Sequence, residues 1–489
     1  MSRSAISPAV VPPVRIGRLS TAALGLLALA LGTLQSVVEP ALPLLQSELG
    51  VGPAEGALVG NTLLITGAVI TPVAGKLGDR YGGKRVLVRL MVVVSAGGLV
   101  ASLAPNLPVL LVGQVLQGVM VGALPLSFIL VRKHLPTGES QAVIGLVVAL
   151  FTGGGMVGTL MAGPVAEHVS WHWMFALPTI VISATTLLVT RLLPHDPPVL
   201  SGPSAASDVS DVSDVSDHGI DWPGVVLLSA TLLTFMLGLV KVTNGGLPPF
   251  AVGALAVVVA ALATGWVVVE RRTPSPMVDL RMLAKPAMWH AGVLTFVITT
   301  GSGMVIILLP QLFATSADGY GFGVDTADIG LFLLPGAVAG ALSDSVGGVA
   351  ARRFGPRTVV IAGAVVTAAT MTALASLHDA AWQLVLAKVL TAFAAGAGTT
   401  ALLAGTSTAV GTRDIGIATG LLVVTRVVGV ALGAQFGGAI LAADTDLTTG
   451  QPTESAFVTG FLLAALVAAL SLLIIRITRK QSTKNGVQA

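Results

Sequence analysis

Long apolar runs separated by short polar connections follow one another along the whole chain. Each run holds about 18 or more mostly apolar residues, enough as an α-helix to cross roughly 30 Å of hydrocarbon. No stretch of about ten residues alternates apolar and polar positions as membrane β-strands do. The pattern predicts an all-α polytopic membrane protein with fourteen transmembrane helices, at residues 19–38, 56–75, 86–104, 109–131, 141–165, 173–193, 223–240, 249–269, 289–313, 329–347, 358–377, 382–406, 416–440 and 456–475.

The basic residues are unevenly divided between the two sides of this predicted arrangement. The side that holds both chain ends carries 23 of the 26 Lys and Arg residues, and the other side carries one, Lys241. Lys388 and Arg426 fall within spans. Because connections rich in Lys and Arg stay in the cytoplasm, we expect a multi-pass protein of the cell membrane with both termini cytoplasmic.

The spans form two blocks of six with a pair between them. We predict two six-helix bundles plus an inserted central helix pair, with boundaries at a tail 1–18, a first bundle 19–193, a linker 194–221, the inserted pair 222–270, a loop 271–288, a second bundle 289–475 and a tail 476–489. The linker contains a Ser-Asp-Val repeat and lacks aromatic residues, so we interpret it as disordered and cytoplasmic. A regulatory or metal-binding role of the linker is the alternative.

Two pairs of segments match at a nearly fixed distance along the chain. Residues 75–84 correspond to residues 348–357 at a shift of 273, and each segment joins one span to the next. A second match, at a shift of 275, pairs small residues of the fifth and thirteenth spans: Gly154, Gly158 and Ala162 with Gly429, Gly433 and Gly437. A tandem duplication predicts two similar bundles with a site between them, as in transporters. Glycines at such spacing also pack helices closely, which is their simpler interpretation.

Composition excludes several classes of function. Hydrophobic residues make up 54% of the chain and charged residues 10%, far below the roughly 25% charged residues of soluble domains. The chain has no Cys, which excludes disulfides and thiolate metal sites. It has no Walker loop, and His168 and His172 lack a third metal ligand. We predict no metal, no cofactor, no enzyme and no nucleic-acid partner; the oligomeric state stays unknown.

Residues 75–85, Gly-Lys-Leu-Gly-Asp-Arg-Tyr-Gly-Gly-Lys-Arg, resemble the signature between spans two and three of the major facilitator superfamily. The fourteen spans, the Ala41-Leu-Pro43 segment and residues 420–433 make the chain similar to the fourteen-helix drug:proton antiporters of that superfamily. Where the fourth helix of that family usually carries Arg, this chain has Gln114, and the fifth-helix Gly-Pro is Gly158-Thr159.

This resemblance implies proton-driven export of amphiphilic organic compounds, with a small molecule, protons and the lipid bilayer as partners. It also implies a conformational latch at the loop signature, formed by Gly75, Asp79, Arg80, Gly82, Lys84 and Arg85. Ordinary topology-setting charge is the alternative for the charged residues among them, and it suffices for Lys84 and Arg85. Glycines 154, 158, 429, 433 and 437 would form a helix-packing seam in each bundle.

Ionisable groups within the spans are the candidates for the transport pathway, because such groups are costly in a bilayer unless paired or hydrated. Glu39, at the outer end of the first span, is a candidate proton carrier, or else an interfacial carboxylate. Lys388 stands, at a shift of 274, where Gln114 stands in the first half, and it either faces the pathway or reaches the outer surface.

Two further charged residues complete the predicted pathway. Arg426 lies about ten residues into the thirteenth span, and it stays charged, so it can hold an anion but cannot carry a proton. Asp344 could pair with Arg426 or with the basic loop at Arg352, and we favour the loop.

The sequence therefore predicts a secondary transporter that works by alternating access and exports drug-like or antibiotic-like amphiphiles against inward proton flow. The alternatives are a dedicated exporter of one endogenous metabolite, for example an anion, and a membrane receptor or scaffold that transports nothing.

Overall fold

The structure is a computed structural model that describes residues 17–193, 221–243, 247–273, 276, 280–317, 319–409, 415–446 and 449–485. The first block of helices comprises α1 (Arg18–Ser36), α2 (Val38–Leu49), α3 (Pro53–Tyr81), α4 (Gly83–Ser102), α5 (Leu107–Gly118), α6 (Ala123–His134), α7 (Thr137–Val165) and α8 (Trp171–Leu192). A second set comprises α9 (Trp222–Thr243), α10 (Pro249–Arg272) and the short α11 (Leu280–Leu283). The last block comprises α12 (Pro286–Ala314), α13 (Thr326–Phe354), α14 (Pro356–Leu374), α15 (Ala381–Ala409), α16 (Ile415–Ala443) and α17 (Glu454–Asn485).

The predicted all-α membrane fold is confirmed. Thirteen stretches of the described residues are long and apolar enough to cross a membrane. One of them, Glu139–Leu192, has 54 residues, about 80 Å as a helix and more than twice the thickness of the hydrocarbon. The chain turns at Ser170, where the backbone is extended (φ −179°, ψ 146°) after one π-helical turn. Two crossings in this stretch bring the total to the predicted fourteen.

The ends of the first and last helices differ from the predicted spans. The first crossing does not end at residue 38 but bends at Val37 and continues as α2 to Leu49. The apolar pattern stops at Glu39 because polar and proline residues follow it, yet helical backbone persists. At the other terminus α17 runs to Asn485, into the segment predicted as a tail. The predicted linker lies outside the described residues except for Asp221.

Helices α1–α8 pack into one half of the molecule, and α12–α17 pack into the other. Each half has a helix pair in close contact: α1 with α7, and α12 with α16. A β-carbon placed on Gly154 would lie 1.9 Å from a main-chain oxygen of α1, and one on Gly433 would lie 1.9 Å from a main-chain oxygen of α12. Such distances require glycine, because any side chain would push the helices apart. Gly158, Gly429 and Gly437 approach the same partner helices.

The duplication also extends to backbone conformation. Gly82, between α3 and α4, has φ 91° and ψ 133°. Gly355, the residue 273 positions later between α13 and α14, has φ 84° and ψ 144°. Side-chain-bearing residues rarely adopt this region, so both copies of the turn depend on glycine.

The inserted pair lies across the boundary between the halves. Helix α9 packs against α3 of the first half and α16 of the second, with Phe235 and Phe436 in edge-to-face contact at 6.1 Å between ring centroids. Leu228, Leu232 and Met236 of α9 are buried in this contact. Helix α10 packs mainly on α9. Within α10, none of the residues of its most apolar stretch, which could span the membrane, is buried.

Candidate functional site

The two ends of the helix bundle differ in charge, and we name them accordingly. The acidic end holds the α2–α3 and α12–α13 connections, near Glu48 and Asp325. The basic end holds the α3–α4 and α13–α14 connections, near Arg85 and Arg353. The hydrogen bonds described between the halves all lie at the acidic end or on the acidic side of the bundle centre.

An ion pair joins the two halves within the membrane-spanning region. Lys388 Nζ of α15 donates to Glu39 Oε1, just after the bend between α1 and α2. Their side chains are 10% and 26% exposed. Lys388 lies seven residues into α15, about 10 Å from its acidic end. The structure therefore brings together two residues that the sequence proposed separately.

A glycine makes room for the lysine. A β-carbon on Gly336 of α13 would lie 2.2 Å from Lys388 Cγ. The aliphatic stem of the lysine thus crosses α13 where that helix has no side chain, and it extends toward Glu39. Nothing in the local sequence pattern distinguishes Gly336 from other helical glycines, so its contact with Lys388 could not be predicted.

A cavity of about 300 Å³ extends from this pair toward the basic end. Its wall combines aliphatic residues with hydroxyl groups from both halves, among them Thr152, Thr159, Thr299, Ser302, Thr391 and Thr399. Arg426 of α16 also lines it and is exposed to it. Arg426 forms no hydrogen bond or ion pair with the part of the chain that the structure describes. The cavity thus contains one paired carboxylate, one paired ammonium and one unpaired guanidinium.

A layer of amides separates this cavity from the acidic end. Gln311 Nε2 of α12 donates to Gln46 Oε1 of α2. Buried Asn61 donates to Gln435 Oε1 at 3.1 Å, and Gln435 donates to the main-chain oxygen of Ala54 at 3.0 Å. Beyond this layer lies an open vestibule of about 680 Å³.

Glycines bring the main chains of the two halves into contact at the same level. A β-carbon on Gly163 of α7 would lie 2.0 Å from a main-chain oxygen of α13. A β-carbon on Gly330 of α13 would lie 2.2 Å from a main-chain oxygen of α7. A β-carbon on Gly438 of α16 would lie 2.7 Å from a main-chain oxygen of α3. In addition, Glu167 accepts a hydrogen bond from the amide of Ala327 at 2.8 Å. The acidic end is therefore closed in this structure.

Two connections at the acidic end are tied together outside the membrane-spanning helices. The Tyr320 hydroxyl donates to the main-chain oxygen of Pro452. Burial, followed by the nearby carboxylate of Glu454, raises the pKa of Tyr320. Hydrogen bonds from Ser455 and Thr453 lower the pKa of Asp444.

Gln114 lies apart from the ion pair. It is fully buried in the first half, and neither polar atom of its side chain has a hydrogen-bond partner. Gln117, one turn later on α5, is in the same state. Gln114 is not part of the cavity wall that Lys388 lines. The duplicated position is thus used differently in the two halves.

The proposed latch residues are described only in part. The side chains of Asp79 and Arg80, and that of Asp344, lie outside the described residues. Lys84 is buried and donates to the main-chain oxygen of Thr190 at 2.9 Å, at the end of α8. A cation there stabilises the free carbonyl groups of a helix terminus, so Lys84 holds α4 against α8 within one half. Arg85 is exposed, and a β-carbon on Gly75 would meet nothing within 4 Å.

Among the described residues, no three His, Asp or Glu side chains converge as metal ligands.

Comparison with known proteins agrees with this architecture. The chain is 27% identical over 313 residues to the multidrug resistance protein B homolog of Mycobacterium tuberculosis, covering 62% of this chain and 53% of that protein. It is 25% identical over 330 residues to the putative multidrug resistance protein MdtD of Salmonella paratyphi B, covering 67% and 65%. The chain spans about half the length of the mycobacterial relative.

Solved structures show the same fold. The nucleoside transporter NupG superposes with a TM-score of 0.64 at 12% identity, over 95% of this chain and 100% of that one. An auto-inhibited peptide transporter of the POT family superposes with a TM-score of 0.62 at 15% identity, over 95% and 97%. The family profile named Major Facilitator Superfamily matches residues 24–284 and 291–488. This profile covers most of the chain, so the chain belongs to the major facilitator superfamily, and its fourteen crossings make it a multi-pass membrane protein.

Proposed function

We propose that this protein exports amphiphilic organic compounds in exchange for protons by alternating access. The observation that carries the proposal is the Glu39–Lys388 ion pair, which joins the halves beside a cavity that both halves line. The similarity to proteins named for multidrug resistance supports the direction and the substrate class.

We infer the orientation from charge. Basic connections remain in the cytoplasm, so the basic end would face the cytoplasm and the acidic end the exterior. Both termini would then be cytoplasmic. The described conformation, with its acidic end closed, would give substrates access from the cytoplasmic side.

The ion pair supplies a mechanism for coupling to protons. Glu39 and Lys388 belong to different halves, so opening the acidic end would separate them. A carboxylate at membrane depth without a nearby cation favours its protonated form, and an adjacent ammonium favours its ionised form. Glu39 would therefore bind a proton while the acidic end is open. Closure would return Lys388 to it and release the proton toward the cavity, which moves one proton inward per cycle.

The cavity chemistry fits an amphiphile. Aliphatic walls bury apolar surface, and scattered hydroxyl groups can each satisfy one polar group of the ligand without demanding a fixed pattern. A sugar would need a denser set of hydrogen-bonding side chains.

A dedicated exporter of one anionic metabolite is the second candidate, and Arg426 favours it. A guanidinium without a partner that faces a cavity is suited to bind a carboxylate or phosphate. Because Lys388 is already paired with Glu39, Arg426 would be the only cation that contacts the bound anion until the ion pair separates.

Vesicles that contain the full chain test the main proposal. The protein is oriented with its basic end inside the vesicle, and the outside solution is made acidic. This pH gradient should accelerate the movement of neutral and charged amphiphilic dyes out of the vesicle. Glu39→Gln should remove the effect of the gradient while exchange without a gradient persists. Glu48→Gln, at an exposed position of the same helix, is the matched control and should respond like the unmodified protein.

An unchanged gradient response in the Glu39→Gln variant would contradict the mechanism. Binding of dyes without movement of any of them would instead favour a receptor or scaffold.

The latch at Asp79 and Arg80 also stays a proposal, based on resemblance. Asp79→Asn should slow turnover and leave dye affinity unchanged, whereas a change in affinity alone would refute a latch.

A further inference from the structure

A third cavity, of about 360 Å³, lies on the lipid-facing side of the second half. Helices α13, α14 and α15 form it, and its accessible wall is entirely apolar. Phe354, Val366 and Phe393 line it and are each more than a third exposed. On α13 its wall runs from Val346 to Phe354, which is about 12 Å along the helix. We call this cavity the α13–α15 groove.

An arginine without a hydrogen-bond or ion-pair partner among the described residues lies at the basic end of the groove. The Arg353 guanidinium lies 5.4 Å from the ring centroid of Phe354, which lines the groove there. Arg353 is exposed, and it forms no hydrogen bond or ion pair with the described residues. Arg352 and Arg357 flank it and are also exposed, with Arg357 donating to the main-chain oxygen of Ile475 at 3.2 Å. An apolar slot about 12 Å long therefore ends at guanidinium groups.

The corresponding positions of the first half carry larger side chains. At a shift of 273, Ala350, Ala362 and Gly363 correspond to the larger Leu77, Arg89 and Leu90. Leu90 is partly buried against the core of its own half. The small residues Ala350, Ala362 and Gly363 of the second half thus make room for the groove.

We propose that the α13–α15 groove binds one acyl chain of an anionic phospholipid from the leaflet at the basic end, with the lipid phosphate held by Arg353. The guanidinium offers paired N–H donors that match phosphate oxygens. The exposed apolar wall buries hydrocarbon that ordinary helix surface could only touch. Charge complementarity selects an anionic headgroup over a zwitterionic one.

The test measures lipid binding and does not depend on transport. The full chain is delipidated in mild detergent and titrated with palmitoyl-oleoyl phosphatidylglycerol or the matching phosphatidylcholine, and bound lipid is counted by native mass spectrometry. We expect one phosphatidylglycerol per chain to bind in preference to phosphatidylcholine. Arg353→Gln should weaken phosphatidylglycerol about fivefold, the effect of one arginine near an anionic lipid, and leave phosphatidylcholine unchanged. Arg132→Gln, exposed at the basic end of the other half, should change neither.

A second pair of variants tests the groove itself. Ala362→Leu fills it and should abolish preferential phosphatidylglycerol binding. Ala369→Leu, at another exposed alanine of α14 outside the groove, should retain it.

Two results would overturn the assignment. One is wild-type phosphatidylglycerol binding in Ala362→Leu or Arg353→Gln. The other is slowed dye transport in Ala362→Leu with lipid binding intact, which would make the groove a route for substrate.

Discussion

The two halves share a frame and differ in the charges they bring to the centre. Both have a glycine turn, at Gly82 and Gly355, and both have a closely packed helix pair. Yet the first half contributes an acid, Glu39, to the cavity wall, and the second contributes the cations Lys388 and Arg426. The difference teaches that the two copies share their backbone frame, whereas the charges that line the cavity lie at positions where the copies diverged. The ion pair exists only when both halves meet.

The largest effect should follow from making the two halves alike at the fourth-helix position. Lys388→Gln gives the second half the residue of the first and leaves the Glu39 carboxylate without a cation at membrane depth, which is costly. We expect the acceleration of dye transport by the pH gradient to fall at least tenfold in vesicles. Gln114→Met is the counterpart control. It removes a buried amide without partners, so thermal stability should stay equal or rise. A wild-type gradient response in Lys388→Gln would show that the pair is not part of coupling.

Next in size should be the loss of contact between the halves at the acidic end. Gly163→Ala places a β-carbon 2.0 Å from a main-chain oxygen of α13, which destabilises the conformation with a closed acidic end. If that conformation loses about 1.4 kcal/mol, its population relative to the open one falls about tenfold. Transport should fall by about the same factor. Gly153→Ala on the same helix meets nothing within 4 Å and should be neutral.

Closure can be read directly because the chain has no cysteine. Spin labels on Ser47→Cys and Thr315→Cys, both lining the vestibule, should move apart in the Gly163→Ala background and not in the Gly153→Ala background. An unchanged distance would mean that the glycine contact does not hold the acidic end closed.

An effect of about the same size, but confined to anionic compounds, should come from Arg426. Arg426→Ala removes the unpaired guanidinium, and an anionic dye should bind about tenfold more weakly, the scale of one charge-assisted hydrogen bond. A neutral dye should be little affected, and Arg426→Lys should restore part of the anion affinity. Equal losses for both dyes would assign Arg426 a structural role.

The last effect concerns stability and leaves the gradient response largely unchanged, and it should be the same in both halves. Gly82→Ala and Gly355→Ala each force a side chain into a positive φ, at a cost of about 1 to 3 kcal/mol. Both variants should lower the thermal unfolding temperature by similar amounts. If the two unfolding temperatures fall by different amounts, the two turns contribute differently to stability in spite of their matching backbone angles.

Much of the fold could be predicted because a bilayer leaves few choices. Every apolar run must satisfy its own backbone as a helix, so fourteen runs become fourteen crossings. The boundaries were less predictable where a helix continues past its apolar residues, as α2 does through Pro43 to Leu49. The pattern marks what is immersed, and main-chain hydrogen bonding determines where a helix ends.

The candidate site could be predicted in its members and not in its contacts. Glu39, Lys388 and Arg426 were identifiable because charge within a span is rare and costly. That Glu39 meets Lys388 depends on how the halves close, which no local pattern encodes. Gly336 and Gly330 escaped notice because one glycine among 58 gains meaning only from the atoms that approach it.

The inserted pair has a consequence for how far the halves can swing. Helix α9 touches α3 on one side of the boundary and α16 on the other. Any motion that parts those two helices must drag apolar side chains along α9, and α10, resting mainly on α9, travels with it. In the proposed alternating-access cycle, the pair would therefore keep hydrocarbon tails out of the gap between the halves, and this edge of the central cavity would stay closed to lipid.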